Sequence, residues 1–317
     1  GGRGGGGGGV KRSREDRKHG RRAKQMATVA KKAQAQANRF WTARQQAASN
    51  NSAAKVRVQA VASASDPAVQ LRIFGPPKTV GEGGIDFDQY DAIKVERSGP
   101  GAESVVPLAS FAAIGDALPP FALENVGRMG YQRPTPIQKH AIPIAINGGD
   151  LMCSAQTGSG KTCAFLLPTI GRFWQIACSS ADETNRLRGV VDPRSPASPS
   201  ALILAPTREL AIQIMHEAEK LCFGSPIRTQ VVYGGAQAGG QLAQLALGVD
   251  ILVATPGRLI DFIDRGVVSL ARTTFLILDE ADRMLDMGFE PQVRESARER
   301  ESGRASSRAP ASLRSSL

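Results

Sequence analysis

The chain has 317 residues, 41% of them hydrophobic and 22% charged, with a formal net charge of +11 and four cysteines. That composition is ordinary for a globular protein of one large or two small domains, and no run of about 18 apolar residues occurs that could cross a membrane as a helix. The charge is lopsided, since residues 1–70 hold 15 Lys/Arg against 3 Asp/Glu while residues 71–317 hold 25 against 26.

The first ten residues, GGRGGGGGGV, cannot bury a core, because glycine loses more conformational freedom on ordering than any other residue. The chain does not begin with Met, which suggests a start further upstream. Residues 17–65 contain no Asp or Glu and are rich in Arg, Lys, Ala, Gln and Ser. Residues 1–85 therefore read as a disordered basic arm. Three readings of its role stay open. It is an arm for a phosphate-rich partner such as nucleic acid, or a transit peptide starting at Met26 with VRVQAVASAS near its cleavage site, or a solvated tail. The first places the protein in cytoplasm or nucleus, the second in a plastid or mitochondrion. Residues 86–110, within and after GPPKTVGEGGIDFDQYDAIKV, read as an extended lead-in.

From Phe111 onward, strand-sized apolar runs alternate with helical stretches. The runs are DLMCSA, ALILAP, RTQVVYG, DILVATP and TFLILDE; the helical stretches include GKTCAFLLPTIGRFWQ, TRELAIQIMHEAEKLCF and GRLIDFIDRG. This alternation predicts an α/β fold with a doubly wound, mainly parallel sheet, its continuous apolar strands covered on both faces. The polar insert SSADETNRLRGVVDPRSPASPS reads as a surface loop. The cysteines (Cys153, Cys163, Cys178, Cys222) show no paired spacing, and with three histidines in the chain a zinc site is not expected.

Two stretches carry chemistry. Ala155-Gln156-Thr157-Gly158-Ser159-Gly160-Lys161-Thr162 lies between a strand-like run and a helical one. Small residues there let backbone amides approach phosphates at a helix N-terminus. Lys161 would reach the β- and γ-phosphates and Thr162 would ligate Mg²⁺, although Ala155 stands where the general pattern has glycine. Asp279-Glu280 follows the apolar run TFLIL, as an acidic pair beside a nucleotide should. Asp279 would hold Mg²⁺, and Glu280 would orient or deprotonate the attacking water. The catalytic set is thus Lys161, Asp279 and Glu280, with ATP and Mg²⁺ as cofactors.

Together, AQTGSGKT, PTREL and DEAD resemble the DEAD-box ATP-dependent RNA helicases, and GGIDFDQYDAIKV, RPTPIQKHAIP and DEADRMLDMGFEPQ are similar to the Vasa-like subfamily. The resemblance implies a RecA-like ATP-binding domain over 111–292, with RNA as a partner contacted through its backbone without sequence reading and no membrane partner. It implies that Gln138 pairs with adenine while Tyr131 stacks on the ring and Arg133 assists. It further implies RNA contacts at Pro206, Thr207 and Arg208, at Gly234 and Gly235, and at Thr255, Pro256, Gly257 and Arg258.

The family pattern is expected to fail after Arg294. Residues 293–317 hold six Arg and seven Ser and read as a non-family tail, where the resemblance implies a strand ending in Ser-Ala-Thr and then a second RecA-like domain. That strand would lie between the phosphate-loop strand and the DEAD strand, so the sheet is expected to be incomplete at its C-terminal end. The stretch is expected to be inactive by itself, because the second domain would supply an arginine finger worth roughly 10³–10⁵ in rate. The alternative is a short, non-catalytic form that binds RNA through its basic arm.

Overall fold

In the computed structural model the described residues are 14–76, 93–179, 181–187 and 189–308. Four strands form the sheet: β1 (Ala201–Leu204), β2 (Thr229–Val232), β3 (Ile251–Ala254) and β4 (Phe275–Leu278). All pairs are parallel, in the order β2-β3-β1-β4, with Leu202 opposite both Leu252 and Leu276. The predicted doubly wound α/β fold is what the chain adopts. Every strand end therefore faces the same way, and the loops after all four strands share the carboxyl edge, where open α/β sheets bind ligands.

Alternate strand residues bury into two separate cores. Ala201, Ile203, Ile251 and Val253 pack with α4 (Pro120–Arg128), α6 (Lys161–Ser179) and α8 (Arg208–Leu221), through residues such as Val126, Leu166, Ile170, Phe173 and Ile214. Leu202, Leu204, Leu252 and Ala254 pack with α9 (Ala238–Ala246) and α10 (Pro256–Asp264), through Leu242, Leu245, Leu259 and Phe262. Burial on both faces is why these strands read as continuous apolar runs.

Four expectations are corrected. First, the described part of the arm is helical: α1 (Arg14–Ser49), α2 (Ser52–Ala62) and α3 (Pro67–Phe74). Its alanines and unbranched polar residues favour helix, and the second core gives them something to pack on. Phe40 is fully buried there. Arg44 donates to the carbonyls of Ala246 at 3.0 Å and Asp192 at 3.3 Å, and Arg57 pairs with Asp250 at 2.6 Å with both side chains buried. The glycine run at the chain start lies outside the described residues, as do residues 86–92 of the lead-in; residues 93–110 hold no strand or α-helix and one short turn at Ala102–Ser104.

Second, DLMCSA forms no strand. Asp150–Ala155 pairs with no neighbour among the described residues, and Leu151 and Met152 are exposed. A strand needs an adjacent edge to satisfy its amides and carbonyls. Among the described residues β4 hydrogen-bonds only β1, so it is an edge strand with Leu278 exposed. Third, the polar insert contains a short helix, α7 (Ala181–Leu187). Fourth, after the short helix α11 (Ala281–Asp286), the Arg/Ser-rich tail is helical through Arg308, as α12 (Glu290–Arg308). Arg300 in that helix donates to the carbonyls of Thr273 and Thr274, at 3.2 and 2.8 Å, at the start of β4. Cys163 and Cys222 are buried, whereas Cys153 and Cys178 are exposed. Among the described residues no helix is long and apolar enough to cross a membrane.

Candidate nucleotide and nucleic-acid site

The phosphate loop meets the helix that the sequence predicts, without the strand expected before it. Gly158 and Gly160 adopt φ of 82° and 87°, a conformation costly for a residue with a Cβ. At Gly160 a Cβ would also collide with the Gln138 amide and crowd the Thr135 hydroxyl. Helix α6 starts at Lys161, so the loop meets a helix N-terminus. Lys161 Nζ donates to the carbonyls of Ala155 and Gln156, the latter at 3.0 Å, which folds its charge back over the loop. Thr162 is half-buried, and Ser159 Oγ is buried without a hydrogen-bond partner. An unsatisfied buried hydroxyl facing a loop of glycines fits a ligand that brings acceptor oxygens.

A second layer holds this loop. Thr135 Oγ1 donates to the Ser159 carbonyl at 2.7 Å, and Gln138 Nε2 to the Gly160 carbonyl at 3.1 Å. Gln138 Oε1 accepts from the Thr135 amide at 2.9 Å, closing a capping box at the start of α5 (Pro136–Ile146). Gln138 is 1% exposed, and its amide braces the phosphate loop. Thr135 was missed, although the spacing of Thr135 and Gln138 is itself a capping-box signature. Tyr131 is half-buried. Its hydroxyl meets the Glu217 carboxylate at 3.5 Å and its ring lies 6.5 Å from Phe111. Burial, then the Glu217 charge, push its phenol well above the usual range. Arg133 is exposed.

Asp279 follows β4, and its amide donates to the Leu204 carbonyl at 3.0 Å. Burial raises the Asp279 carboxyl, with the Glu280 charge adding to the effect; Lys161 opposes it. The Lys161 charge thus acts on Asp279. Glu280 has φ 51° and ψ 51°, a left-handed conformation that costs a non-glycine residue of order 1 kcal/mol or more and clusters at functional positions. Its carboxylate pairs with Arg283 at 3.2 Å. Among the described residues no group of three His, Cys, Asp or Glu could hold a metal alone.

The three loops expected to meet RNA touch one another. Arg208 opens α8 behind Pro206 and its N-cap Thr207, whose hydroxyl accepts from the Leu210 amide at 3.2 Å. Its guanidinium lies 4.7 Å over the ring of Tyr233, the residue before Gly234. The Gly234 amide donates to Thr255 Oγ1 at 3.3 Å, and Arg258 Nη2 donates to the Ala236 carbonyl at 3.0 Å. Gly235 has φ 76°. Pro256 and Gly257 form the first turn of α10, with Gly257 exposed. Arg258 is shielded on one side by Phe262 at 5.4 Å, and its Nη1 is buried without a partner. Two further residues set this geometry. Tyr233 is the platform for Arg208, and the Gln241 amide clamps both the amide and the carbonyl of Tyr233 at 3.2 Å. Gln241 sits eight positions downstream on another element, and no local pattern marks it.

A family model described as DEAD/DEAH box helicase matches residues 135–311. The chain belongs to this family. The matched stretch runs past Arg294, so the segment expected to depart from the helicase family lies mostly within it. Two solved helicase structures are similar. The RNA helicase Prp28 from Chaetomium thermophilum, described as bound to ADP, shares 38% identity with a TM-score of 0.52, over 63% of this chain and 44% of that one. The yeast DEAD-box splicing factor Prp28 shares 32% identity with a TM-score of 0.54, over 62% and 44%. This helicase-family chain thus spans less than half the length of the structures it matches, and it shares their RecA-like fold.

Proposed function

We propose that the protein hydrolyses ATP in an RNA-stimulated manner and unwinds short duplexes locally, as an RNA helicase of the Vasa-like subfamily. The observation that carries this reading is the direct contact among the loops after β1, β2 and β3, on the same sheet edge as the acidic pair that follows β4. Joined loops of this kind present Arg208 and exposed backbone amides as one surface, suited to a phosphodiester backbone and not to base edges.

The nucleotide site fits ATP with Mg²⁺. The ion would be held by Asp279 and Thr162 together with phosphate oxygens, which suits an ion usually bound through one or two carboxylates plus substrate phosphates. Bound Mg²⁺ would supply charge neutralisation at the β- and γ-oxygens. Lys161 would swing from its loop carbonyls to the phosphates, and Glu280 would position the attacking water.

Binding of a fluorescent ATP analogue with Mg²⁺ tests the reading. Lys161→Ala should weaken it by about tenfold or more, the loss of one charge-assisted phosphate contact. Equal affinity in wild type and variant would refute the assignment.

A further inference from the structure

We propose that the first half of α1 is a rigidly mounted binding helix for the RNA sugar-phosphate backbone, separate from the strand-end loops. The proposal rests on the reading that the protein works on RNA, and it adds a second contact surface.

Between residues 14 and 32 the chain carries eight Lys/Arg and two acidic residues, and this whole stretch is helical. At about 100° per residue, the eight basic positions fall on one half of the helix circumference. The stretch is about 28 Å long at roughly 1.5 Å per residue. Lys24, Lys31 and Lys32 are exposed. The face that carries these three is distinct from the face of Ala37, Phe40, Arg44 and Ala47, the buried positions that dock the second half of α1 on the core.

The mount is what separates this helix from a solvated charge run. Phe40 is fully buried, Arg44 bonds two backbone carbonyls, and Arg57 in the next helix is locked to Asp250. A fixed helix loses less freedom on binding than a flexible tail does. The free stretch favours nucleic acid over a lipid surface. Its only large apolar residues are Met26 and Val29, whereas a helix lying in a membrane needs a broad apolar face.

The test compares wild type with K24E/K31E/K32E and with the exposed-lysine control Lys94→Glu, by anisotropy of a labelled RNA without nucleotide. The proposal expects about tenfold or greater loss at low salt in the triple variant, and a salt slope shallower by about 2–3, since each phosphate contact contributes roughly 0.7–0.9. Lys94→Glu should bind like wild type. Unchanged affinity and slope in the triple variant overturn the proposal. So does loss of binding to phosphatidylserine vesicles with RNA binding intact, which assigns the helix to membranes. Arg208→Ala separates the two surfaces. If it leaves RNA affinity unchanged while the triple variant loses it, the strand-end reading fails and the helix proposal stands.

Discussion

Arg57 and Asp250 form a buried two-point ion pair, with Nη1 to Oδ2 at 2.6 Å and Nη2 to Oδ1 at 3.3 Å. It ties α2 to the residue before β3. The same Arg57 donates to the Pro226 carbonyl, and Asp250 also accepts from the Arg228 amide at 2.8 Å. Removing one partner leaves a buried charge uncompensated, at a cost of about 3–5 kcal/mol. Arg57→Ala is therefore expected to lower the thermal midpoint sharply, and Arg57→Lys to recover only part of the loss because an ammonium cannot match the fork. A melt of either variant that coincides with wild type would remove the clamp role. The same dependence gives the N-terminal helices a structural part in the folded domain.

Gly160 stands where backbone and neighbours both exclude a side chain. Its φ is 87°, and a Cβ would run into the Gln138 amide. Gly160→Ala should destabilise the loop by about 1–3 kcal/mol through backbone strain alone. It should also weaken nucleotide affinity by more than it lowers RNA affinity in the absence of nucleotide. Titrations of both ligands on the same variant decide this, and an unaltered ATP analogue affinity would contradict it.

Much of this was legible in the sequence. The apolar runs at 201–204 and 251–254 became the two central strands because each is buried from both sides, which a local pattern encodes, while 229–232 and 275–278 flank them partly buried. Asp150–Ala155 has the same local texture, but a strand also needs a neighbour, and neighbours are not local information. The docking of α1 was hidden for the same reason: Phe40, Arg44 and Arg57 are single residues in a polar stretch whose partners lie about 150–200 positions away in the chain. At the site, the glycines that take positive φ and the helix that opens at Lys161 were readable, because a tight turn and a helix start leave local signals. The uses of Gln138 and Tyr131 were not, because an amide or a phenol serves many partners equally well.

Tyr233 gives Arg208 its direction. A guanidinium over an aromatic ring gains about 0.5–1 kcal/mol at an exposed site, so losing the ring should weaken RNA binding by roughly two- to fivefold and lower the salt slope by about one contact. Tyr233→Leu is expected to show both effects with nucleotide affinity unchanged. Tyr233→Phe, which keeps the ring, should behave as wild type. A purely structural role for Tyr233 would instead move both ligands' affinities together.

Asp279 makes the nucleotide site pH-sensitive in a definite direction. Burial and the Glu280 charge hold its carboxyl above the ordinary value of 3.8, against the pull of Lys161. A native carboxyl that keeps its proton to higher pH than the unfolded one disfavours folding as pH rises through that interval, and the full cost remains above it. Asp279→Asn removes the ionisation, so its thermal midpoint should exceed that of wild type at neutral pH, and the gap should close as pH falls toward the ordinary carboxylate range. The same substitution should abolish the part of ATP affinity that depends on Mg²⁺, because the anionic oxygen that would meet the ion is gone. Parallel melts across pH and nucleotide titrations with and without Mg²⁺ measure both effects. A variant less stable than wild type at neutral pH would show that the Asp279 charge is compensated in the native site.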